Sequence, residues 1–209
     1  ETVYNLDGEE IQKKMKTVDW DAEAAEKAGY EHFMMIEIHE QPRAVKDTLN
    51  SVLKDGKIDL TDIGLAEEDI RRTSQIYIVA CGSAYHVGMV AQYVIEDLVK
   101  IPVRVELASE FRYRKPILDP NGLVIIISQS GETADSLAAL RETKAQGIRT
   151  LGIVNVVGSS IAREADKVFY TLAGPEISVA TTKAYSTQLM ASYILAIQFA
   201  KVKNTITEE

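Results

Sequence analysis

Between Gln75 and Tyr170 the sequence sets out five short apolar runs, at 76–80, 103–107, 123–127, 150–154 and 168–170, separated by stretches of helical periodicity. Short β-rich runs of this kind, separated by amphipathic helices, suit the strands of a parallel sheet, since parallel strands need a crossover of a dozen or more residues, usually a helix, between them. After the first run Val87, Val90, Ala91, Val94 and Leu98 fall on one helical face, and after the third Ala134, Leu137, Ala138 and Ala145 do so before Gly147. A long apolar stretch over 182–200 closes the pattern, and its Ser186, Gln188, Ser192 and Gln198 suit a protein interior or a subunit interface better than lipid. The fold class that follows is α/β: a three-layer α-β-α sandwich on a five-stranded parallel sheet of flavodoxin-like order 2-1-3-4-5, preceded by an N-terminal helical arm.

Upstream the pattern is different. Residues 1–19 mix charges (Glu9, Glu10, Lys13, Lys14, Lys16) with Ile11 and Met15, and read as a linker or arm. A short helical pattern over 22–27 stops at Gly29, and a second runs through Met34, Ile38, Val45 and Leu49. Pro42 predicts a kink or a fresh helix start there. Lys54-Asp55-Gly56-Lys57 predicts a turn, and the acidic stretch 65–72 one short helix. The expected boundaries are an arm at 1–30, leading helices at 31–72 and the α/β domain at 73–209. The chain opens on Glu1 rather than Met, which reads as a piece of a longer polypeptide.

Composition narrows the function classes. A net charge of −8 argues against nucleic acid as the main partner, because a polyanion binder needs a basic face. No apolar run approaches the roughly eighteen residues of a membrane span, and no secretory signal opens the sequence. The single Cys81 excludes an internal disulfide, reads as a buried thiol and fits a reducing, cytoplasmic setting. His32, His39 and His86 sit in no cluster with metal-ligand spacing, so no metal is expected. Neither GxGxxG after the first strand nor GxxxxGK[ST] is present, which disfavours dinucleotides and nucleoside triphosphates; no cofactor is expected.

Ligands of open parallel sheets bind beyond the carboxyl ends of the strands, where strand order reverses, here between the first and third strands. The loop after the third strand is Ser128-Gln129-Ser130-Gly131-Glu132-Thr133. Its hydroxyls and amide surround a glycine and precede a helix whose first N–H groups are unpaired, an anion cradle built from neutral donors. The competing reading, that Ser130 or Thr133 only caps the helix, is outweighed by four donors converging at the switch point. The loop after the first strand holds Gly82 and Ser83, equally compatible with a tight turn and with ligand contact. A third segment, 174–183, reaches the same edge with Glu176, Val179, Thr181, Thr182 and Lys183. Its plain reading is Thr181 or Thr182 as helix cap, Glu176 as a solvated charge and Lys183 as an exposed cation, although a lysine in a first helical turn opposes the helix dipole.

With these motifs the sequence resembles the SIS (sugar isomerase) domains, and among them the first of the two in the glucosamine-6-phosphate synthase family. The similar stretches are His39-Glu40-Gln41-Pro42, Ala80 to Tyr85, Ala108 to Lys115, Ser128 to Asp135, Asn155 to Ser160 and Glu176 to Gln188. The resemblance implies that Ser128, Gln129, Ser130 and Thr133 hold the phosphate of fructose 6-phosphate or glucosamine 6-phosphate. It further implies that Gly82 and Ser83 approach the sugar, with Val179, Thr181 and Lys183 completing the site. Ala84 departs from the family, whose members often carry Ser there, which removes one hydroxyl contact to the sugar. The family's enzymes add ammonia from an N-terminal glutaminase domain to the sugar and shift a proton between C2 and C1. Their acid–base residues lie in a second SIS domain and the C-terminal tail, so this chain is expected to bind substrate without turning it over and to hold no catalytic residue. The resemblance also implies a homodimer, and makes residues 1–30 the connector from the glutaminase domain. Other readings on the same fold are a phosphosugar isomerase, a fructosamine-phosphate deglycase, a sugar-phosphate-sensing regulator domain, and a structural module whose last helix makes a dimer.

Overall fold

The computed structural model describes residues 3–4, 7–11 and 29–207. The helical pattern at 22–27 lies outside the described residues. In the arm, β1 (Val3–Tyr4) pairs antiparallel with β2 (Glu10–Ile11).

Helix α1 (Phe33–Asn50) runs through Pro42 without a break, where the sequence predicted a new helix or a kink. Proline leaves the carbonyl four residues back without its N–H donor. The Gln41 side-chain amide replaces that donor, reaching the Ile38 carbonyl at 3.1 Å. The predicted turn forms a hairpin of β3 (Leu53–Lys54) and β4 (Lys57–Ile58), with Asp55 and Gly56 at φ 52° and 74°. Two positive φ values make a type I′ turn, the hand that matches strand twist. The short α2 (Glu67–Arg71) follows.

From there strands and helices alternate: β5 (Ile76–Ala80), α3 (Gly82–Val99), β6 (Val103–Leu107), α4 (Ala108–Arg114), β7 (Leu123–Ser128), α5 (Ala134–Ala145), β8 (Arg149–Val154), α6 (Ser160–Glu164), β9 (Lys167–Tyr170) and α7 (Lys183–Val202). The sheet runs β6-β5-β7-β8-β9, parallel throughout, which is the predicted order 2-1-3-4-5. Side chains alternate across it. Ile76, Ile78, Leu123, Ile125, Ile127 and Ile153 join Val87, Ala91 and Ile95 of α3 and Ile194, Leu195 and Phe199 of α7. Tyr77, Val79, Val124 and Ile126 face the other way, toward Phe111 of α4, Ala139 and Leu140 of α5 and Ile161 of α6. Period-two alternation in wholly buried strands thus produces both interfaces of the sandwich.

One predicted helical face is rotated. On α5 the buried residues are Ser136, Ala139, Leu140 and Thr143, while Ala134 and Ala145 are exposed. Alanine spacing gives weak directional information, and two polar residues are satisfied where they are buried: Thr143 donates to the Ala139 carbonyl at 2.8 Å, and Ser136 reaches the Cys81 sulfur at 3.9 Å. No helix among the described residues is long and apolar enough to cross a membrane.

Candidate functional site

The chain leaves β5 toward β6 on one side of the sheet and later returns to place β7 on the other, so the loops after β5 and β7 part at the carboxyl edge. Between them lies a cavity of about 300 Å³. Its walls bring together Gly82 and Ser83 from the first loop, Ser128, Gln129, Ser130 and Thr133 from the second, and Val179 and Thr181 from the segment after β9. Cys81, Ala84, Ile127, Glu176, Ser178 and Gln188 complete the lining. Cys81 is therefore partly exposed at this wall instead of a fully buried thiol. A second concavity of about 370 Å³, at the far end of α7 against the β3–β4 turn, has none of the strand-end loops in its lining.

The loop after β7 is held open by its own bonds. The Ser128 hydroxyl accepts the Gly131 N–H at 3.1 Å and lies 3.0 Å from Thr133 Oγ1. Ser130 Oγ accepts the Glu132 N–H at 3.2 Å, and the Gly131 carbonyl takes the N–H of Ile161 at 3.0 Å. Gly131 has φ 65°, and a Cβ there would stand 2.6 Å from Ser159 Cβ and closer still to Ser159 Oγ, so the turn admits only glycine. Thr133 occupies the N-cap position of α5 but makes no side-chain cap bond. The first-turn N–H groups of α5 have no partner within the helix, and neither the Thr133 nor the Ser130 hydroxyl takes their place.

Charge around the loop is directed outward. Glu132 turns away from the cavity to accept the Ser160 N–H at 2.7 Å; the Ser160 side chain and backbone, with Arg163 adding, hold its carboxyl below the usual range. Arg112 of α4 donates to Asp135 in the first turn of α5 at 2.7 Å, and that bond raises the Arg112 pKa. What remains along the second loop is neutral donors at the positive end of α5, an arrangement that accepts an anion without a bulky cation.

The third segment departs from its plain sequence reading. Glu176 is not a solvated charge: it accepts the Thr181 hydroxyl at 2.8 Å and the N–H groups of Thr182 and Ala184 at 2.8 and 3.2 Å, capping α7 from a distance. Thr182, at the N-cap position, makes no cap bond, and its hydroxyl is buried without a partner. Lys183 is neither exposed nor in the cavity lining. It is 2% exposed, its ammonium 2.5 Å from Glu40 Oε2 of α1, which resolves the conflict between a cation and the start of its own helix. Glu37 of α1 was not a sequence candidate. Its Oε1 accepts the N–H groups of Ile177 and Ser178 at 2.6 and 3.0 Å, a contact between residues 140 and 141 positions apart that no local pattern signals. Among the described residues no group of His, Cys, Asp and Glu is arranged to hold a metal ion.

A model of the SIS domain family matches residues 69–198. The glutamine–fructose-6-phosphate aminotransferase (isomerizing) of Clostridium acetobutylicum is 58% identical over 207 residues, which are 99% of this chain and 34% of the relative. Its counterpart in Clostridium tetani is 56% identical over 208 residues, again 99% and 34%. The chain thus spans about a third of the length of the curated relatives it matches. Among solved structures, the C-terminal domain of glucosamine-fructose-6-phosphate aminotransferase from Francisella tularensis superimposes with a TM-score of 0.84 at 49% identity, covering 87% of this chain and 51% of that one.

Proposed function

Because the chain belongs to the SIS domain family, we propose that it is the phosphosugar-binding half of the isomerase part of a glutamine:fructose-6-phosphate aminotransferase, which makes an amino-sugar precursor. Its ligand is fructose 6-phosphate or the product glucosamine 6-phosphate. The observation that carries this reading is the hydroxyl loop 128–133, seated with an uncapped helix start at the point where strand order reverses. Phosphate oxygens accept from the hydroxyls of Ser130 and Thr133, from Gln129 and from the first N–H groups of α5, with Ser128 holding the loop in shape. The sugar extends toward Ser83, Val179 and Thr181. Lys183 acts behind the wall through Glu40 instead of touching the ligand.

Glu176 is the one carboxylate in the lining among the described residues, and its oxygens are engaged by Thr181, Thr182 and Ala184. No free base thus stands over the sugar, in keeping with a chain that binds while a second SIS half supplies proton transfer and a glutaminase domain supplies ammonia. The same reading makes residues 1–30 a connector, 31–72 the leading helices and 73–209 the binding domain, in a cytoplasmic homodimer. Exposed Met89 and Tyr93 on α3 and Tyr193 and Ile197 on α7 support an apolar contact with another domain or subunit.

Calorimetry with fructose 6-phosphate tests the site. Ser130→Ala and Thr133→Ala should each weaken binding by about 1 to 3 kcal/mol, the worth of a charge-assisted hydrogen bond. Unchanged affinity in both variants rejects the assignment, and measurable sugar-phosphate turnover by this chain alone rejects the division of labour.

A further inference from the structure

Three carboxylates shape the segment between β9 and α7, and only one belongs to it. Glu176 caps α7 from within the segment, Glu37 of α1 reaches into the segment, and Glu40 of α1 holds Lys183 where the segment enters α7. Helix α1 lies outside the stretch 69–198 that matches the SIS domain model and lines none of the cavity, so it acts on the wall from behind. Glu37 is the more telling of the two. It is 3% exposed, which is costly for a carboxylate unless its bonds compensate. Its Oε1 gathers two consecutive backbone N–H groups, of Ile177 and Ser178, while Oε2 is buried without a partner. A single acceptor taking adjacent N–H groups fixes the peptide plane between them, and with it the direction in which the chain continues. The chain continues into Ser178, Val179 and Thr181, all on the cavity wall, with Val179 fully exposed at its rim.

Resting on the phosphosugar reading above, we propose that Glu37 is a positioning residue for the sugar end of the site. Through the Ile177 and Ser178 N–H groups it sets the wall that the sugar hydroxyls meet, and it has no part in holding the phosphate, whose cradle is built on β7 and α5. The split between the two ends of one ligand makes this testable. In this chain, calorimetry with fructose 6-phosphate and, separately, inorganic phosphate should show that Glu37→Ala lowers fructose 6-phosphate affinity about tenfold and leaves phosphate affinity unchanged. Glu37→Gln, whose amide oxygen still accepts both N–H groups, should restore most of the loss. Hydrogen exchange on the unliganded variants should show faster exchange at Ile177 and Ser178 in Glu37→Ala with α5 amides unaltered. Equal losses for both ligands, or no loss for either, overturn the positioning role and leave the phosphosugar reading standing. Failure of the unsubstituted chain to bind fructose 6-phosphate overturns that reading, and this inference with it.

Discussion

Gly131 combines two demands that no other residue meets. Its backbone is left-handed at φ 65°, and Ser159 occupies the space a side chain would need. Gly131→Ala should destabilise the fold by about 2 to 4 kcal/mol in urea denaturation, the sum of a strained φ and an overpacked contact. In a Ser159→Gly background the steric part should vanish and only the backbone part remain, so the two substitutions should be non-additive. Asp59 shows the same logic in electrostatics. The Thr61 hydroxyl and N–H, then the Lys54 ammonium 3.1 Å away, favour its charged form and lower its pKa to about 2. Titration followed by NMR should place the Asp59 midpoint there, and Thr61→Ala should move it up toward the ordinary aspartate range, since the hydroxyl is the largest cause.

At the scale of elements, α1 is joined to α7 and to the chain leading into it by polar contacts that a reading of their apolar faces misses. Lys183 meets Glu40, Ser186 donates to Gln41 Oε1 at 2.6 Å, and the Thr48 hydroxyl takes the Leu172 N–H at 3.0 Å just before the segment that lines the cavity. Removing one member of a buried pair costs more than the pair contributes, because the survivor remains a charge out of water. Glu40→Ala, which strands the Lys183 ammonium, should cost about 3 kcal/mol in chemical denaturation, and Lys183→Met, which leaves the partly exposed Glu40 to solvent, distinctly less. The start of α7 carries its own test. Glu176→Ala should cost about 1 to 2 kcal/mol, the worth of a helix cap, although the N-cap position itself belongs to Thr182.

At the scale of the molecule, the carboxylates with shifted pKa values among the described residues move in one direction. Asp59, Asp119, Glu132, Glu164 and Asp166 lie below their ordinary values. For Asp166 burial acts to raise the pKa, but the bonds from Lys144 and Thr150 outweigh it. A carboxylate with a lowered folded pKa contributes stability that is complete above its unfolded pKa, near 4, and is lost as pH falls through the folded value. Stability measured by urea denaturation should therefore be level between about pH 6 and 7 and decline from about pH 4.5 downward.

The sequence by itself determined the sandwich and the cradle. Its short β-rich runs alternate with helical stretches, and Ser128 to Thr133 group hydroxyls around a glycine before a helix, so both are matters of neighbours in the chain. The strand order followed from that class of fold and places the cradle at the reversal. Tertiary structure alone decided what Lys183 and Glu37 do, because each role depends on how α1 packs against α7 and the segment before it. It also decided that the buried face of α5 contains Ser136 and Thr143, since a helix rich in alanine carries little apolar contrast to orient it. Periodicity records whether a side chain meets water or core. Which buried charge meets which donor, across 140 or more residues, is written only when the elements pack.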